Sequence, residues 1–213
     1  MYGEAPQIVG QFDINLREMM FYMCLPVKMR HLNFPVSSHR VPTRLWPVIP
    51  LIDAIPREEM FDRYVYLTVK RLFVTPEYKG QRPGWHCDGF GTDDITYLWC
   101  DALPTEFCVQ PFELSPDDQL SLKQMEEQAN PARIRTYAPG TLLRLTERVV
   151  HRTSPAAYEG MRTFVKISLS RDQWALEGNS HNHLFDYDWL PQERSATRNM
   201  EHGRNQHNDS PRD

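Results

Sequence analysis

The sequence predicts a mainly β fold, an antiparallel sandwich or barrel formed by a single domain. Short apolar segments with a two-residue period follow one another after residue 63, and turns rich in glycine and proline separate them. Little helix lies between these segments, which argues against a parallel sheet with crossover helices. A chain of 213 residues that is 40% hydrophobic can bury one core of this kind.

The chain divides into three predicted parts. Residues 1–62 contain six prolines between positions 26 and 56, which predict irregular and helical segments packed on the core. Residues 63–191 are predicted to form the β core itself. The last part, residues 192–213, has almost no apolar residues and mixes arginines with acids, so we expect a disordered tail.

Within the core, the residue pattern predicts individual elements. In the segment from Tyr64 to Val74, valine and leucine alternate with tyrosine and threonine, which predicts a strand with its aliphatic face buried and the other face exposed. Ile95 to Cys100 predicts a second strand. Ser115 to Asn130 is polar and compatible with a helix. Thr141 to Val150 predicts a further strand that begins at a Pro-Gly turn and leads to His151.

Composition argues against partners with strong negative charge. A net charge of -4 and a pI near 6.1 give no basic surface for nucleic acid or an anionic membrane, so neither partner is expected. No apolar run reaches the roughly 18 residues of a membrane span, and the first ten residues lack the features of a secretory signal. The four cysteines form no CxxC pair, which suits a reducing compartment, and the predicted localisation is cytoplasmic.

His86 and Asp88 form a candidate metal-binding pair. Residues i and i+2 of an extended strand project to the same side, so an imidazole and a carboxylate can meet at one ion while Cys87 points away. The pattern alone is weak, because His207 and Asp209 repeat it near the end of the sequence. That second copy follows no strand and has no partner downstream, so only His86 and Asp88 are assigned as ligands.

His151 and Arg162 complete the candidate site. His151 is the only histidine between Asp88 and His181, although a strand-end histidine bonded to backbone is the plainer explanation when it is considered alone. Eleven residues later Arg162 opens an apolar strand, and its planar guanidinium can bind a carboxylate through two parallel hydrogen bonds. Two imidazoles and one carboxylate with open positions are typical of non-haem iron(II) oxygenases.

In their order and spacing, these residues resemble the iron(II)/2-oxoglutarate-dependent dioxygenases. The resemblance rests on Trp-His-Cys-Asp at 85–88, on the Pro-Gly-Thr turn at 139–141 that leads to His151, and on Gly-Met-Arg at 160–162. It covers residues 63–172, about half of the chain. It implies a double-stranded β-helix, or jelly roll, with flanking helices.

The resemblance also implies a reaction. His86, Asp88 and His151 would hold iron(II), 2-oxoglutarate would chelate the iron with Arg162 on its far carboxylate, and oxygen would take the last position. The implied outcome is hydroxylation of a small-molecule substrate with release of succinate and carbon dioxide. The motif specifies neither the substrate nor the oligomeric state, because variable loops set the substrate.

Several alternatives stay open at the level of the sequence. The same chemistry could act on a protein or a nucleic acid, and a zinc-bound jelly roll could bind a ligand without oxidising it. Tyr97 and Trp99 share one face of their strand and either line the pocket or pack in the core. Parity places Lys166 on the face of Arg162, which requires a buried partner for the ammonium group or a shifted register.

Overall fold

A computed structural model describes residues 1–32, 36 and 38–194 of the chain, and in this part it contains two antiparallel β-sheets and few helices. The strands are β1 (Gln7–Gln11), β2 (Met20–Lys28), β3 (Tyr64–Val74), β4 (Ile95–Cys100), β5 (Glu106–Cys108), β6 (Ile134–Arg135), β7 (Thr141–Thr146), β8 (His151–Arg152) and β9 (Gly160–Ser170). The larger sheet has the order β1-β7-β4-β9-β3-β2, and the smaller sheet has the order β6-β5-β8. The first two strands therefore occupy the edges of the larger sheet.

The pair β3 and β9 lies inside the larger sheet. The two strands are antiparallel and in register over 11 residues, from Tyr64 opposite Ser170 to Val74 opposite Gly160. The predicted limits of β3 are confirmed. Its burial differs from the prediction, because Tyr66 on the face expected to be exposed is only 1% exposed. A strand in the middle of a sheet that is covered on both sides is buried on both faces.

A helical layer covers one face of the larger sheet, which we call the outer face. It contains a 3-10 helix, Thr43–Val48, and the short helix α1, Ile49–Asp53. Buried side chains of the helical layer and of the outer face form one hydrophobic cluster, the outer core. Tyr97 and Trp99 belong to the outer core, as the packing alternative predicted; other members are Leu45, Leu51, Leu67, Val165 and Ile167.

The opposite, inner face of the larger sheet packs against the smaller sheet. Leu98, Leu143 and Phe164 of the larger sheet form a buried cluster with Phe107 of β5. Apolar side chains from two sheets therefore share one core, as in a β-sandwich. The predicted mainly β fold of the jelly-roll class, with flanking helices, is confirmed.

Helix α2, Asp118–Gln128, lies within the segment predicted to be helical. Its N-terminus is capped by Asp117, whose carboxylate accepts a hydrogen bond from the backbone N–H of Leu120 at 2.7 Å. The helix packs through Met125, which is fully buried in a cluster that includes Trp85. Helix α2 therefore packs against the segment that contains Trp85 and His86.

The segment from Thr141 to Val150 is not one strand, and this prediction was wrong. β7 ends at Thr146, and the backbone N–H of Val149 donates to the carbonyl of Thr146 in a turn. β8 then begins at His151 in the other sheet, opposite Phe107. Val149 and Val150 are nonetheless buried, and an apolar pattern does not distinguish a buried turn from a continuing strand.

The predicted tail, residues 192–213, lies outside the described residues except for positions 192–194. There the backbone of Gln192 is hydrogen-bonded to Ala175 and Glu177. In the part of the chain that the structure describes, no helix combines the length and the apolar character needed to cross a bilayer. The division at residues 62 and 191 stays a prediction.

Leu67→Ala is expected to lower the free energy of unfolding by about 2–5 kcal/mol, because it leaves a cavity in the outer core. Leu67 is 0% exposed, whereas Phe73 on the same face of β3 is 47% exposed, so Phe73→Ala is the matched control. Urea unfolding followed by circular dichroism measures both variants. Equal losses for the two variants would contradict a core shared by the sheet and the helical layer.

Candidate metal centre

His86, Asp88 and His151 meet at one point of the structure. One ring nitrogen of each histidine and one carboxylate oxygen all lie within 4.8 Å of one another. The backbones of His86 and His151 form an isolated antiparallel bridge with two N–H···O hydrogen bonds of 2.9 Å. Because directly opposed residues project to the same side of a sheet, this bridge brings the two imidazoles together, with ring centroids 4.5 Å apart.

Each imidazole is fixed by its own backbone neighbourhood. The Nδ1 of His86 lies 2.9 Å from the carbonyl oxygen of Gly84, and the Nδ1 of His151 lies 3.0 Å from that of Val149. Because a carbonyl oxygen can only accept, each Nδ1 carries the proton and donates a hydrogen bond, which leaves the free lone pair on Nε2. In His151 the Nε2 lies 3.6 Å from a carboxylate oxygen of Asp88.

The chain turns away immediately after Asp88, and Gly89 makes the turn. Gly89 has a φ of 67°, in the left-handed region, and its carbonyl accepts the N–H of Thr92 at 2.9 Å. A Cβ atom at this position would lie 2.6 Å from the Cβ of Asp94. Glycine is therefore required here for both conformation and space.

Burial keeps both histidines neutral. It lowers the pKa of His86 to about 3, an effect to which His151 adds and which Asp88 partly offsets. It also lowers the pKa of His151, again against the field of Asp88. At neutral pH both imidazoles are thus in the form that can bind a metal ion.

Lys166 extends from the larger sheet to Asp88. Its ammonium nitrogen lies 3.3 Å from Oδ1 of Asp88, whereas His151 faces Oδ2. The sequence left a buried partner and a shifted register as alternatives for Lys166, and the partner is the one observed. Burial alone would raise the pKa of Asp88, but Lys166 and the two histidines together outweigh it and hold the pKa below its usual range.

The donor set fits a divalent metal ion. Oδ2 of Asp88 lies beside the histidines while Oδ1 pairs with Lys166, so one oxygen can bind a metal while the other keeps its hydrogen bond. Two imidazoles and one carboxylate suit iron(II), and they also suit zinc. The side chains of Asp88 and Lys166 are 19% and 24% exposed, so the centre can be reached from solvent.

Arg162 lies on the inner face of β9, four residues before Lys166. It is 3% exposed, and its Nε and Nη2 donate to the backbone carbonyls of Ala102 and Leu103. Leu103 has a φ of 46°, an uncommon conformation for a branched residue, and in it the carbonyl faces the guanidinium. Two of the five N–H groups of Arg162 thus donate to backbone carbonyls, and the Cys100 thiol lies close enough to interact with the guanidinium.

Arg152, His181 and His183 have ordinary structural partners. Arg152 pairs with Glu106 at 2.9 Å and lies 4.3 Å from the ring centroid of Trp85, so its charge is satisfied within the protein. His181 and His183 are exposed and contact each other in a loop.

Sequence reasoning missed Lys70. This residue lies on the inner face of β3, opposite Phe164, and its ammonium donates to the carbonyl of Gly80 at 2.8 Å. Burial, together with the charges of Lys166 and Arg162, lowers its pKa to about 8. The two-residue period of β3 was the signal in the sequence, because it places Lys70 on the same face as Tyr66, which is buried.

Comparison with known proteins gives a distant likeness. No family model and no curated protein matches the chain. EvdO2 from Micromonospora carbonacea var. aurantiaca aligns over 61% of this chain and 60% of its own length, at 13% identity and a TM-score of 0.36. EvdO2 complexed with 2-oxoglutarate aligns over 61% of both chains, at 13% identity and a TM-score of 0.33. AviO1 from Streptomyces viridochromogenes Tue57 aligns over 63% of this chain and 65% of its own, at 13% identity and a TM-score of 0.37. The chain thus spans less than two thirds of these proteins, and the function proposed below is inferred from the side chains of the site.

Proposed function

We propose that this chain is an iron(II)- and 2-oxoglutarate-dependent dioxygenase that hydroxylates a small-molecule substrate and releases succinate and carbon dioxide. One observation carries the proposal. Two neutral imidazoles and a carboxylate converge within 4.8 Å, and both Nδ1 atoms are already bound to backbone carbonyls. A ligand set arranged in this way before metal binding loses little conformational freedom when the metal binds.

In this proposal His86, His151 and Asp88 hold iron(II), and Lys166 keeps the second oxygen of Asp88 turned away from the metal. Iron(II), with 2-oxoglutarate and oxygen, supplies the oxidation of an unactivated C–H bond. The apolar cluster with Phe107 and Phe164 lies next to His151 and forms an apolar wall on one side of the centre. The protein thus contributes the positions of the ligands and one apolar boundary.

Arg162 is the proposed ligand of the distal carboxylate of 2-oxoglutarate. Its guanidinium is buried and faces no carboxylate within 4.0 Å among the described residues, so its charge has no partner of opposite sign there. Hydrogen bonds to the carbonyls of Ala102 and Leu103 fix the plane of the group without neutralising it. A fixed, buried guanidinium favours a carboxylate that binds to it.

A small molecule is proposed in preference to a protein or a nucleic acid. The net charge of -4 offers no general attraction to a polyanion. The three proposed metal ligands have side chains that are partly or largely buried, so the reacting atom must enter the sandwich. A recessed centre of this kind suits a compact substrate more than a folded surface.

A second candidate function is ligand binding without oxidation, with zinc or with no metal at the centre, and the ion pair between Lys166 and Asp88 favours it. The ammonium already provides a positive charge beside the carboxylate at 3.3 Å, so the fold does not need a metal to neutralise Asp88. Metal measurements separate the two candidates.

His86→Ala is expected to weaken metal binding by at least about a hundredfold, because it removes one of three ligands. Anaerobic titration with iron(II), and with cobalt(II) as a spectroscopic probe, measures the affinity. His181→Ala removes an exposed histidine and is the matched control, with no expected change. Equal affinity in the two variants would exclude the proposed centre, and tight zinc binding with no response to 2-oxoglutarate would favour the second candidate.

With ascorbate added as the reductant that takes up the second oxygen atom, the protein loaded with iron(II) is expected to release succinate from 2-oxoglutarate in air, and Asp88→Ala is expected to abolish this release. The carboxylate balances part of the metal charge, so its removal costs affinity as well as geometry. Succinate is quantified by chromatography over time. Release that continues unchanged in Asp88→Ala would show that free iron, and not the site, is responsible.

Arg162→Lys is expected to raise the 2-oxoglutarate concentration needed for half-maximal succinate release by about tenfold or more. The ammonium retains the charge but loses the planar pair of donors. Because Arg162 also bonds the carbonyls of Ala102 and Leu103, thermal unfolding must be measured in parallel. An unchanged 2-oxoglutarate dependence in a folded variant would refute this role.

A further inference from the structure

Three positively charged side chains share the inner face of the pair β3 and β9. Lys70 of β3 lies opposite Phe164 of β9, and Arg162 and Lys166 are the next residues on the same face to either side of Phe164. The guanidinium carbon of Arg162 lies 5.3 Å from the centroid of the Phe164 ring. The charges are close enough that Lys166 and Arg162 each lower the pKa of Lys70.

Only one of these three charges has a partner of opposite sign in the part of the chain that the structure describes. Lys166 pairs with Asp88 at 3.3 Å. Lys70 donates to a carbonyl, that of Gly80, and Arg162 donates to two carbonyls. A carbonyl satisfies a hydrogen bond but does not cancel a charge, so Lys70 and Arg162 each lack a carboxylate at ion-pair distance, and Asp101 acts on Arg162 only through its field.

An excess of buried positive charge is costly to the folded protein. Burial is the first cause of the lowered pKa of both Lys70 and Arg162. Charged groups that lose their hydration on burial are concentrated at functional sites, where a ligand of opposite charge can compensate for the loss. The arrangement therefore fits a ligand set with more than one anionic group.

Within the proposed function, the two carboxylates of 2-oxoglutarate are already assigned. One belongs to the metal and the other to Arg162, which leaves Lys70 without an anion. Its ammonium lies 5.0 Å from the ring centroid of Phe21, a side chain that is 56% exposed. Lys70 thus lies beside the edge strand β2 and close to a side chain that solvent reaches.

We infer that Lys70 binds a carboxylate or phosphate group of the compound that the site oxidises, so that the substrate is an anionic small molecule. This inference rests on the proposed function for the identity of the compound. The anion-binding position itself rests only on the contacts of Lys70. The aromatic ring of Phe21 offers an apolar surface beside the charged group.

The test uses inorganic phosphate as the probe and the full-length protein without metal. Calorimetric titration measures phosphate affinity in the wild type, Lys70→Met, Lys70→Arg and the control Lys123→Met, which removes an exposed lysine of helix α2. Wild type, Lys70→Arg and Lys123→Met should bind phosphate alike. The affinity of Lys70→Met for phosphate should be lower by about tenfold or more, because a charge-assisted hydrogen bond is lost.

A second titration, with 2-oxoglutarate present in excess, tests whether the phosphate position at Lys70 is separate from the position of 2-oxoglutarate. Phosphate binding that persists supports a separate position for the substrate. Displacement of phosphate by 2-oxoglutarate, wild-type affinity in Lys70→Met, or no phosphate binding at all would each overturn the inference. Because these measurements need no metal, a protein that binds phosphate at Lys70 but no iron would refute the proposed oxygenase and leave the anion position standing.

Discussion

The antiparallel pairing of β3 with β9 is the interaction on which both cores and the candidate site depend. The 11 paired residues of each strand alternate between the outer core and the inner face. A slip of one residue would place Arg162 and Lys166 beneath the helical layer and move valine and isoleucine side chains into the site. The apolar side of the pair is thus what keeps the charged side in place. The fold specifies the electrostatics of the site through hydrophobic burial.

The candidate centre joins the two sheets across the sandwich. Its three proposed ligands come from the smaller sheet and its extension at residues 86–88, whereas Lys166 comes from the larger sheet. The contact between Asp88 and Lys166 therefore links elements 78 positions apart in sequence. The two histidines need no such partner, because backbone carbonyls two residues earlier in the chain fix both rings. Local geometry orients the imidazoles, and a long-range contact orients the carboxylate.

The sequence was most informative where the local pattern and the final packing agree. The limits of β3 and β4 follow from their own residues, and the order of His86, Asp88 and His151 in the sequence identified the three side chains that the fold brings together. The pattern failed at Val149 and Val150, because burial in a turn produces the same apolar signal as a strand. It also missed Lys70, since the significance of an inward lysine depends on charges contributed by β9. Pairwise contacts between distant strands are not encoded in any one segment.

The bridge between His86 and His151 has a consequence for how this region tolerates change. The turn after β7 ends only two residues before His151, and β8 is itself two residues long. Substitutions in this turn that preserve its length leave the opposition of the two histidines intact. An insertion or deletion of a single residue would instead present the imidazole of His151 to the other side of the smaller sheet. The connection from Glu147 to Val150 can therefore vary in composition much more freely than in length.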